Sequence, residues 1–251
     1  MAFALSVNLN KIALLRNSRE GNFPSVEHHA QICLDAGANG ITVHPRPDQR
    51  HIRPSDCTQL RLLTKPLENI EFNIEGNPFE QAVGSYPGFL EIIKSNLPDQ
   101  ATLVPDASGQ LTSDHGFDLQ KSGDQLAPII EQMQQLGVRV SLFMDPDIEQ
   151  ISLASQLGAD RIELYTGPFA KAYSEGDGLT VFQAHAAAAE YAQNLGLGIN
   201  AGHDLNLDNL SLYRHLPGLL EVSIGHALTV DALSMGMTEA VKRYAALCEF
   251  P

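Results

Sequence analysis

The sequence predicts an α/β fold in which eight parallel strands alternate with helices around a closed (β/α)8 barrel, the TIM barrel class. Three observations support this prediction: short buried-strand patterns recur eight times, segments with helical spacing separate them, and glycine turns precede several of the strands. The length of 251 residues matches the roughly 250 residues typical of such a barrel. A doubly wound open sheet is the alternative, but the segment at the first strand, VNLNKIALLRNSR, contains no GxGxxG sequence.

The predicted strands are near-continuous runs of aliphatic and β-branched residues, a pattern typical of parallel strands that are covered on both faces. In chain order they span residues 5–9, 40–44, 69–74, 101–105, 139–144, 161–166, 197–201 and 220–224. The phrases DAGANGITVH, QLGVRVSLF, QLGADRIELY and NLGLGINAG each join a helix end, a glycine turn and a buried strand. Such repeats indicate βαβ units with right-handed crossovers.

Between the strands, apolar residues recur every three or four positions, which predicts helices that pack one face against the sheet. The clearest of these span residues 26–36, 122–136, 148–157 and 179–195. Ser25 is a candidate N-cap for the first, and a glycine follows each of the four. No linker or change of composition divides the chain, so residues 1–251 are predicted to form a single domain.

Composition and charge restrict the class of partner. The chain is 43% hydrophobic and has 16 Lys and Arg residues against 30 Asp and Glu residues, which gives a net charge of −14. We expect neither nucleic acid nor membrane as a partner, because binding to nucleic acid or an anionic membrane requires a basic surface. No apolar run approaches the ~20 residues of a membrane-spanning helix. Three widely spaced cysteines and the lack of a secretory signal pattern predict a cytoplasmic protein.

Polar side chains stand at the ends of the predicted strands, and in a parallel barrel these carboxyl ends converge on one face. The candidates from the first two strands and their loops are Asn8, Asn10, Lys11, Arg16, Arg19, His44, Arg46, Arg50 and His51. Those from later strands are Glu71, Asn73, Glu75, Glu163, Asn200, His203, Gly225 and His226. We expect this ring of side chains to form a site.

Two of the carboxylates, Glu71 and Glu163, have a large apolar residue on either side. Burial of an unpaired charge is costly, so these positions favour a raised pKa or a polar barrel interior. A structural ion pair, for example between Glu163 and Arg161, is the alternative. His44 alone is equally compatible with a structural role, but the basic residues of the same loop favour a function.

The last two strands end in NAGH and SIGH. The glycine in each has no side chain, so nearby backbone N–H groups are accessible to an anion. In many barrels the loops after these strands bind phosphate. The chain has no GK[ST] loop, nicotinamide fingerprint, nucleophile elbow or HExxH sequence. The residues therefore predict acid and base chemistry on a phosphorylated small molecule.

A series of segments, taken in order, resembles the pyridoxine 5′-phosphate synthase family of the deoxyxylulose-phosphate-dependent vitamin B6 pathway. These segments are VNLNKIALLRNSR, GITVHPRPDQRHI, IEFNIEG, LVPD with LTSDHG, SLFMDPD, RIELYTG, NAGH and IGHA. The resemblance implies a barrel with extra helices, a homo-octamer built from dimers, and no metal or organic cofactor. It also implies condensation of 3-amino-2-oxopropyl phosphate with 1-deoxy-D-xylulose 5-phosphate, which closes a pyridine ring and releases phosphate and water.

The resemblance further implies residue roles. His44 and Glu71 match catalytic proton acceptors, and His203 matches a proton donor. The positions assigned to the amino-ketone phosphate are Asn8, Arg19, Asp204, Gly225 and His226. The positions assigned to deoxyxylulose phosphate are Asn10, Lys11, Arg46, His51 and Thr112. Glu163 matches a buried acid of the family's site.

Two places depart from the family pattern. Asn10 and Lys11 stand where many members have Asp-His, and Asp204 stands where glycine is usual. A lysine still suits a phosphate, whereas a carboxylate beside a phosphate is unfavourable unless it points away.

Two other functions stay open from the residues alone. His44, Glu71, Glu163 and His203 have the types and strand positions of ligands for one divalent metal in a sugar-phosphate isomerase, epimerase or aldolase. The other alternative is a non-catalytic protein that binds phosphorylated metabolites.

Overall fold

A computed structural model describes residues 2–107 and 109–249, and in it eight parallel strands close into a barrel. Each strand pairs with its neighbours in sequence, and β1 pairs with β8 to complete the closure. The strands are β1 (Ala4–Asn8), β2 (Gly40–Val43), β3 (Glu71–Gly76), β4 (Gln100–Leu103), β5 (Arg139–Met144), β6 (Arg161–Tyr165), β7 (Gly198–Gly202) and β8 (Leu219–Ile224). The predicted fold class is confirmed.

Helices follow the strands around the outside of the barrel, and some connections carry more than one. They are α1 (Asn10–Asn17), α2 (Val26–Asp35), α3 (Pro54–Thr64), α4 (Phe89–Asn96), α5 (Leu119–Gln135), α6 (Ile148–Gln156), α7 (Gly167–Ser174), α8 (Gly178–Asn194), α9 (Leu210–Tyr213), α10 (His226–Met235) and α11 (Met237–Cys248). Within the described ranges, none of them has both the length and the apolar character that crossing a membrane requires.

A side-chain cap marks the start of α2, whereas a contact with another helix accompanies the start of α5. Ser25 caps α2 as predicted, because its side chain accepts a hydrogen bond from the backbone N–H of His28 at 3.2 Å. Helix α5 begins at Leu119, earlier than the predicted residue 122. Its first N–H donates to Oε1 of Gln150, 2.7 Å away on α6, and sequence periodicity does not reveal such a contact.

The apolar core lies between the sheet and the helices. The outward-facing strand residues Leu5, Val7, Ile41, Phe72 and Leu103 are at most 1% exposed. This burial explains why the strands appear in the sequence as near-continuous apolar runs. Hydrophobic stabilisation therefore comes mainly from the layer that surrounds the barrel.

The barrel interior is polar. Gln100 on β4 accepts hydrogen bonds from Arg139 at 3.0 Å and from Asn200 on β7 at 3.2 Å. The amide of Gln100 also lies 3.5 Å from Glu221 on β8. Strands β4, β7 and β8 include pairs that are not neighbours in the sheet, so these contacts cross the barrel axis. Bulky aliphatic side chains usually fill this space in (β/α)8 barrels, whereas here amides and charges occupy it.

Candidate active site

A cavity of about 430 Å³ opens at the carboxyl ends of the strands, within the roughly 300–1,000 Å³ usual for small-molecule sites. Of the fourteen residues to which the resemblance assigns roles, all but two line it: Asn8, Asn10, Lys11, His44, Arg46, His51, Thr112, Glu163, His203, Asp204, Gly225 and His226. The expectation that polar residues at the carboxyl ends of the strands converge on one face therefore identifies the position of the cavity correctly.

Backbone-to-side-chain hydrogen bonds join the ends of the first two strands. Oδ1 of Asn8 accepts from the backbone N–H of Asn10 at 3.0 Å, and Oδ1 of Asn10 accepts from that of His44 at 2.9 Å. The two amides fix where α1 begins relative to β2. Asn10 therefore acts through the position of His44 as well as by facing the cavity.

A buried ion pair holds the basic loop after β2. Arg16 on α1 is 1% exposed, and its guanidinium meets the carboxylate of Asp56 on α3 at 2.6 Å. The same guanidinium donates to the backbone carbonyl of His51 at 2.9 Å. Asn17 donates to that carbonyl at 2.8 Å as well. The loop that carries Arg46 and His51 is thus fixed to the first helix.

His44 lies between two carboxylates at the mouth of the barrel. Its Nδ1 is 3.8 Å from Oε2 of Glu75, and its Nε2 is 3.9 Å from Oδ2 of Asp106. Burial lowers the pKa of His44 well below its usual range, and the nearby charge of Arg46 lowers it further. The ring is therefore neutral near pH 7 and has a free nitrogen that can accept a proton.

The hydrogen bonds of His51 determine its tautomer. Nδ1 of His51 accepts from the backbone N–H of Ile52 at 2.9 Å. Burial, together with Arg46 and Arg50, lowers the pKa of His51 to about 3. The neutral ring consequently carries its hydrogen on Nε2. His51 can donate a hydrogen bond to an anion but adds no positive charge.

Arg46 and Arg50 supply the positive charge of the cavity. Arg46 forms an ion pair with Asp106, and both arginines donate to the backbone carbonyl of Gln110, at 3.2 Å and 3.0 Å. Ser113 also donates to Asp106, at 2.9 Å. These contacts hold the loop after β4 against the loop after β2. Among the residues that the structure describes, one buried oxygen of Asp106, Oδ1, has no hydrogen-bond partner.

His203 has a partner at each ring nitrogen. Nδ1 lies 2.9 Å from Oδ2 of Asp204, and Nε2 lies 2.7 Å from the hydroxyl of Thr112. The ring of Tyr165 packs edge-on at a centroid distance of 5.4 Å. The hydrogen bond from His203 lowers the pKa of Asp204. The carboxylate of Asp204 therefore points at the imidazole, which is how this departure from the family pattern is accommodated.

Glu163 is a buried acid that lines the same cavity as His44 and His203. It is 3% exposed, and in the described part of the chain its Oε2 has no hydrogen-bond partner. Burial raises its pKa well above the usual range, and the nearby Glu75 and Glu221 raise it further. Gly202 on β7 makes room for this carboxyl group, because a Cβ at position 202 would overlap Oε1 of Glu163.

Glu75 is a cavity residue that belongs to the strand-end candidates but has no role assigned by the resemblance. It lies one residue before the carboxyl end of β3 and lines the cavity. It accepts hydrogen bonds from Asn8 at 3.3 Å and from Ser223 at 3.4 Å. Burial raises its pKa to about 8, and Asp106 and Glu221 raise it as well. The position of Glu75 at the end of the third strand was therefore sufficient to select it as a candidate, although the resemblance gave it no role.

Glu71 lies at the opposite end of the barrel, so the expectation that it belongs to the strand-end group is wrong. It is the first residue of β3, and its carboxylate forms an ion pair with Arg139, the first residue of β5. It does not line the cavity. Parallel strands bring their first residues together at the face away from the βα loops.

Arg19 is the other residue with a role assigned by the resemblance that does not line the cavity. It lies in the turn after α1, where its backbone N–H donates to the backbone carbonyl of Arg16 at 3.3 Å. The residue is exposed. Arg16, which lies within α1, points inward instead, where it pairs with Asp56. The choice between these two arginines depends on where α1 ends.

The start of α10 forms the far wall of the cavity. Gly225 precedes the helix, and His226 is its first residue. A Cβ at Gly225 would stand 3.0 Å from Cβ of Asn8, so only glycine fits without displacing β1. Free backbone N–H groups at the start of a helix favour an anion. The cavity thus has an anion-binding wall here and a basic wall at Arg46.

The proposed metal ligands do not converge. Glu71 lies at the other end of the barrel from the remaining three, so the four cannot hold one ion. In the part of the chain that the structure describes, no group of three or more His, Cys, Asp or Glu side chains is arranged to hold a metal ion.

Comparison with known proteins gives consistent results. Residues 5–250 match a family model described as pyridoxal phosphate biosynthesis protein PdxJ. Pyridoxine 5′-phosphate synthase of Xanthomonas axonopodis pv. citri is 54% identical over 245 residues, which are 97% of this chain and 96% of the relative. The protein of that name from Xylella fastidiosa is 51% identical over 241 residues, 96% of this chain and 92% of the relative.

Among solved structures, a tryptophan synthase chain of Mycobacterium tuberculosis superposes with a TM-score of 0.65 at 12% identity, over 100% of this chain and 94% of that chain. This similarity concerns the fold alone. The family match covers almost the whole sequence, and the relatives are more than half identical at nearly full length. The chain therefore belongs to the pyridoxal phosphate biosynthesis protein PdxJ family.

Proposed function

We propose that this chain is a pyridoxine 5′-phosphate synthase, which condenses 3-amino-2-oxopropyl phosphate with 1-deoxy-D-xylulose 5-phosphate. The reaction closes the pyridine ring and releases phosphate and water. Family membership supports the activity, and one observation supports its location: a single cavity contains two histidines between an anion-binding wall and a basic wall. Each wall suits one phosphate.

The amino-ketone phosphate is proposed to bind at the start of α10. Gly225 and His226 offer backbone N–H groups there, and Asn8 faces them across the cavity. The positive end of the helix dipole favours a phosphate at this place. Arg19 is too far along the turn after α1 to line this wall, so we assign it no contact with the phosphate.

The phosphate of deoxyxylulose phosphate is proposed to bind at the basic wall. Arg46, Arg50 and Lys11 supply positive charge, and His51 supplies a neutral N–H donor. Thr112 faces the same space from the loop after β4. Arginine guanidinium groups bind phosphate through paired, charge-assisted hydrogen bonds.

Imine formation, loss of water and ring closure all require protons to leave and arrive at several atoms. His44 is neutral and buried, which suits a proton acceptor. His203 is proposed as the proton donor, because Asp204 accepts at Nδ1 and leaves Nε2 facing the cavity. Glu163 has a raised pKa and therefore stays protonated near neutral pH, which allows it to donate a hydrogen bond.

Two anchored phosphates also serve the ring closure itself. Two fragments held in a reactive arrangement lose much less entropy in the transition state. Orientation of this kind contributes roughly 7–11 kcal/mol in favourable cases. The distance between the two walls is therefore expected to determine which pairs of substrates react.

We further propose that the protein is a cytoplasmic homo-oligomer, built from dimers up to an octamer as the family resemblance implies. Large exposed apolar side chains such as Phe23, at 88%, and Leu233, at 80%, support association. Light scattering of purified protein tests the assembly. A single species with the mass of one chain would contradict it.

The activity is tested by incubating the protein with both substrates and following pyridoxine 5′-phosphate by mass spectrometry and phosphate by a colorimetric assay. We expect product from wild-type protein, before and after treatment with a chelator. His203→Gln should make little product, whereas Arg243→Gln, an exposed change on α11, should match the wild type. Folded protein that binds both substrates without turnover would support a metabolite-binding function instead, and activity lost on chelation would support the metal-dependent alternative.

A further inference from the structure

We propose that Asp106 sets the affinity of the basic wall for phosphate, because its carboxylate and the phosphate of deoxyxylulose phosphate share the guanidinium of Arg46. Asp106 is a positioning residue, since it does not line the cavity and acts on the substrate through Arg46. This inference rests on the proposed synthase activity and describes what controls the affinity at one of its two phosphate sites.

The guanidinium of Arg46 has partners before any substrate binds. Nη2 donates to Oδ2 of Asp106, and Nη1 donates to the backbone carbonyl of Gln110 at 3.2 Å. The guanidinium has further N–H groups, and Arg46 lines the cavity, so it can also reach a phosphate there. That phosphate meets a cation whose charge a carboxylate has already partly neutralised.

Burial makes the influence of Asp106 strong. The side chains of Arg46 and Asp106 are 9% and 3% exposed, so water screens their charges poorly. Ser113 donates to Oδ2 at 2.9 Å, whereas Oδ1 has no hydrogen-bond partner among the described residues. The carboxylate therefore depends mainly on Arg46 for its stabilisation. A phosphate that shares Arg46 weakens this pair and also brings a second negative charge close to Asp106, and both effects oppose binding.

Arg50 gives a comparison on the same wall. It also lines the cavity, and its Nη2 lies 2.6 Å from Oδ2 of Asp48. The side chains of Arg50 and Asp48 are 24% and 48% exposed, so water and salt screen the pair. We therefore expect Asp48 to oppose phosphate binding much less than Asp106 does, although each acid is paired with one arginine of the wall.

The pair with Asp106 has a use in the absence of substrate. A buried arginine without a counter-ion is strongly destabilising, and Asp106 supplies the counter-ion to Arg46. The guanidinium therefore stays in the cavity wall and needs no rearrangement when a phosphate arrives. The same pair keeps phosphate binding weaker than Arg46, Arg50 and Lys11 would otherwise make it, which allows the phosphate to dissociate.

The test measures the dissociation constant (Kd) of deoxyxylulose phosphate alone by isothermal titration calorimetry. Asp106→Asn removes the charge and keeps an oxygen that can accept from Arg46. We expect its Kd to be at least about fivefold lower than that of wild type, whereas Asp48→Asn should change Kd by less than about twofold. A structural role alone would give the opposite sign, because a disturbed loop binds its ligand more weakly.

Two controls show whether the gain acts on the phosphate through Arg46. The sugar 1-deoxy-D-xylulose, which has no phosphate, should bind Asp106→Asn and wild type equally. In an Arg46→Gln background, Asp106→Asn should leave the Kd of deoxyxylulose phosphate within about twofold of that of the single Arg46→Gln variant. An affinity gain for 1-deoxy-D-xylulose, or one that persists without Arg46, would overturn the proposal. An unchanged or higher Kd in Asp106→Asn would overturn it as well.

Circular dichroism decides the outcome if Asp106→Asn does not fold alone. Deoxyxylulose phosphate should then restore the folded state, because its phosphate replaces the missing counter-ion. A variant that stays unfolded at a concentration of deoxyxylulose phosphate that saturates the wild type would contradict the role of Asp106. Wild-type protein that binds deoxyxylulose phosphate but makes no product would contradict the synthase activity alone.

Discussion

The carboxylate of Asp204 lies 2.9 Å from Nδ1 of His203, and this contact determines which nitrogen of the ring faces the cavity. With the Nδ1 hydrogen directed at Asp204, Nε2 is left for Thr112 and for a substrate. Both residues have left-handed backbone angles, with φ of 83° at His203 and 56° at Asp204. A non-glycine residue accepts this conformation at some energetic cost, so the side chain of Asp204 is expected to serve a purpose.

We predict that Asp204→Asn lowers kcat by about tenfold, less than the roughly 10²–10⁴-fold contributed by a group that itself transfers the proton. The amide removes the negative charge beside the ring of His203 and can turn its NH₂ group toward Nδ1. Asp208→Asn in the same loop lies outside the cavity and serves as the control. Unchanged kcat in Asp204→Asn would mean that the carboxylate does not orient the ring.

We predict that Arg46→Gln weakens the binding of deoxyxylulose phosphate selectively. Hydrogen bonds to charged groups contribute roughly 1.5–3 kcal/mol, so KM for this substrate should rise by about 10- to 100-fold. KM for the amino-ketone phosphate should stay within about threefold, because that phosphate is proposed to bind at α10. Arg61→Gln is the matched control, since Arg61 pairs with Asp99 away from the cavity. An equal rise in both KM values would contradict the assignment of Arg46 to one phosphate.

We predict that Asp56→Asn destabilises the protein by about 3–5 kcal/mol, because it leaves the buried charge of Arg16 without its counter-ion. Urea denaturation followed by circular dichroism measures the loss. Arg243→Gln breaks an exposed pair on α11 and should cost no more than about 0.5 kcal/mol. Similar losses in the free energy of unfolding for the two substitutions would show that the ion pair of Arg16 and Asp56 is accessible to water.

We predict that the free energy of unfolding falls between pH 6.5 and pH 8. Glu75 and Glu221 have pKa values raised from 4.5 to about 8 and about 7, so the folded state holds more protons than the unfolded state in this range. Stability is then lost as the pH rises. His51, with a pKa lowered from 6.5 to about 3, acts in the opposite direction but only below pH 6.5.

Urea denaturation at several pH values measures this slope. Glu221→Gln should make it shallower, because this variant removes one of the groups that release protons on unfolding. A free energy of unfolding that rises from pH 6.5 to pH 8 would contradict the raised pKa values.

Hydrophobic patterning was sufficient to predict the barrel, because parallel strands buried on their outer faces stand out in the sequence as apolar runs. A polar interior was one of two expectations for the apolar-flanked carboxylates Glu71 and Glu163, but the pattern did not show which residues form it. Inward-facing residues such as Ser6, Thr42 and Asn73 are scattered among the apolar ones, and only the hydrogen bonds between strands show that they face the axis. The interior is a property of the closed barrel rather than of any one strand.

The strand-end rule found most of the site, and its two errors concern position along an element. The third predicted strand ended at residue 74, which placed Glu71 in its middle and Glu75 in the loop, whereas β3 runs from Glu71 to Gly76. Arg16 lies within α1 and points inward, whereas Arg19 lies in the turn after the helix ends at Asn17. A shift of one or two residues moves a side chain to another face, and element ends are the least certain part of a sequence-based assignment.

The contacts around Arg16 have a consequence for local unfolding. Arg16 and Asn17 join α1 to the loop after β2 through the carbonyl of His51, and Asn10 joins the same helix to His44. The two segments that face the substrates therefore cannot open separately. In hydrogen exchange, the slowly exchanging amides of α1 and of the loop after β2 should be released together as one cooperative unit, with a single opening free energy for the basic side of the cavity.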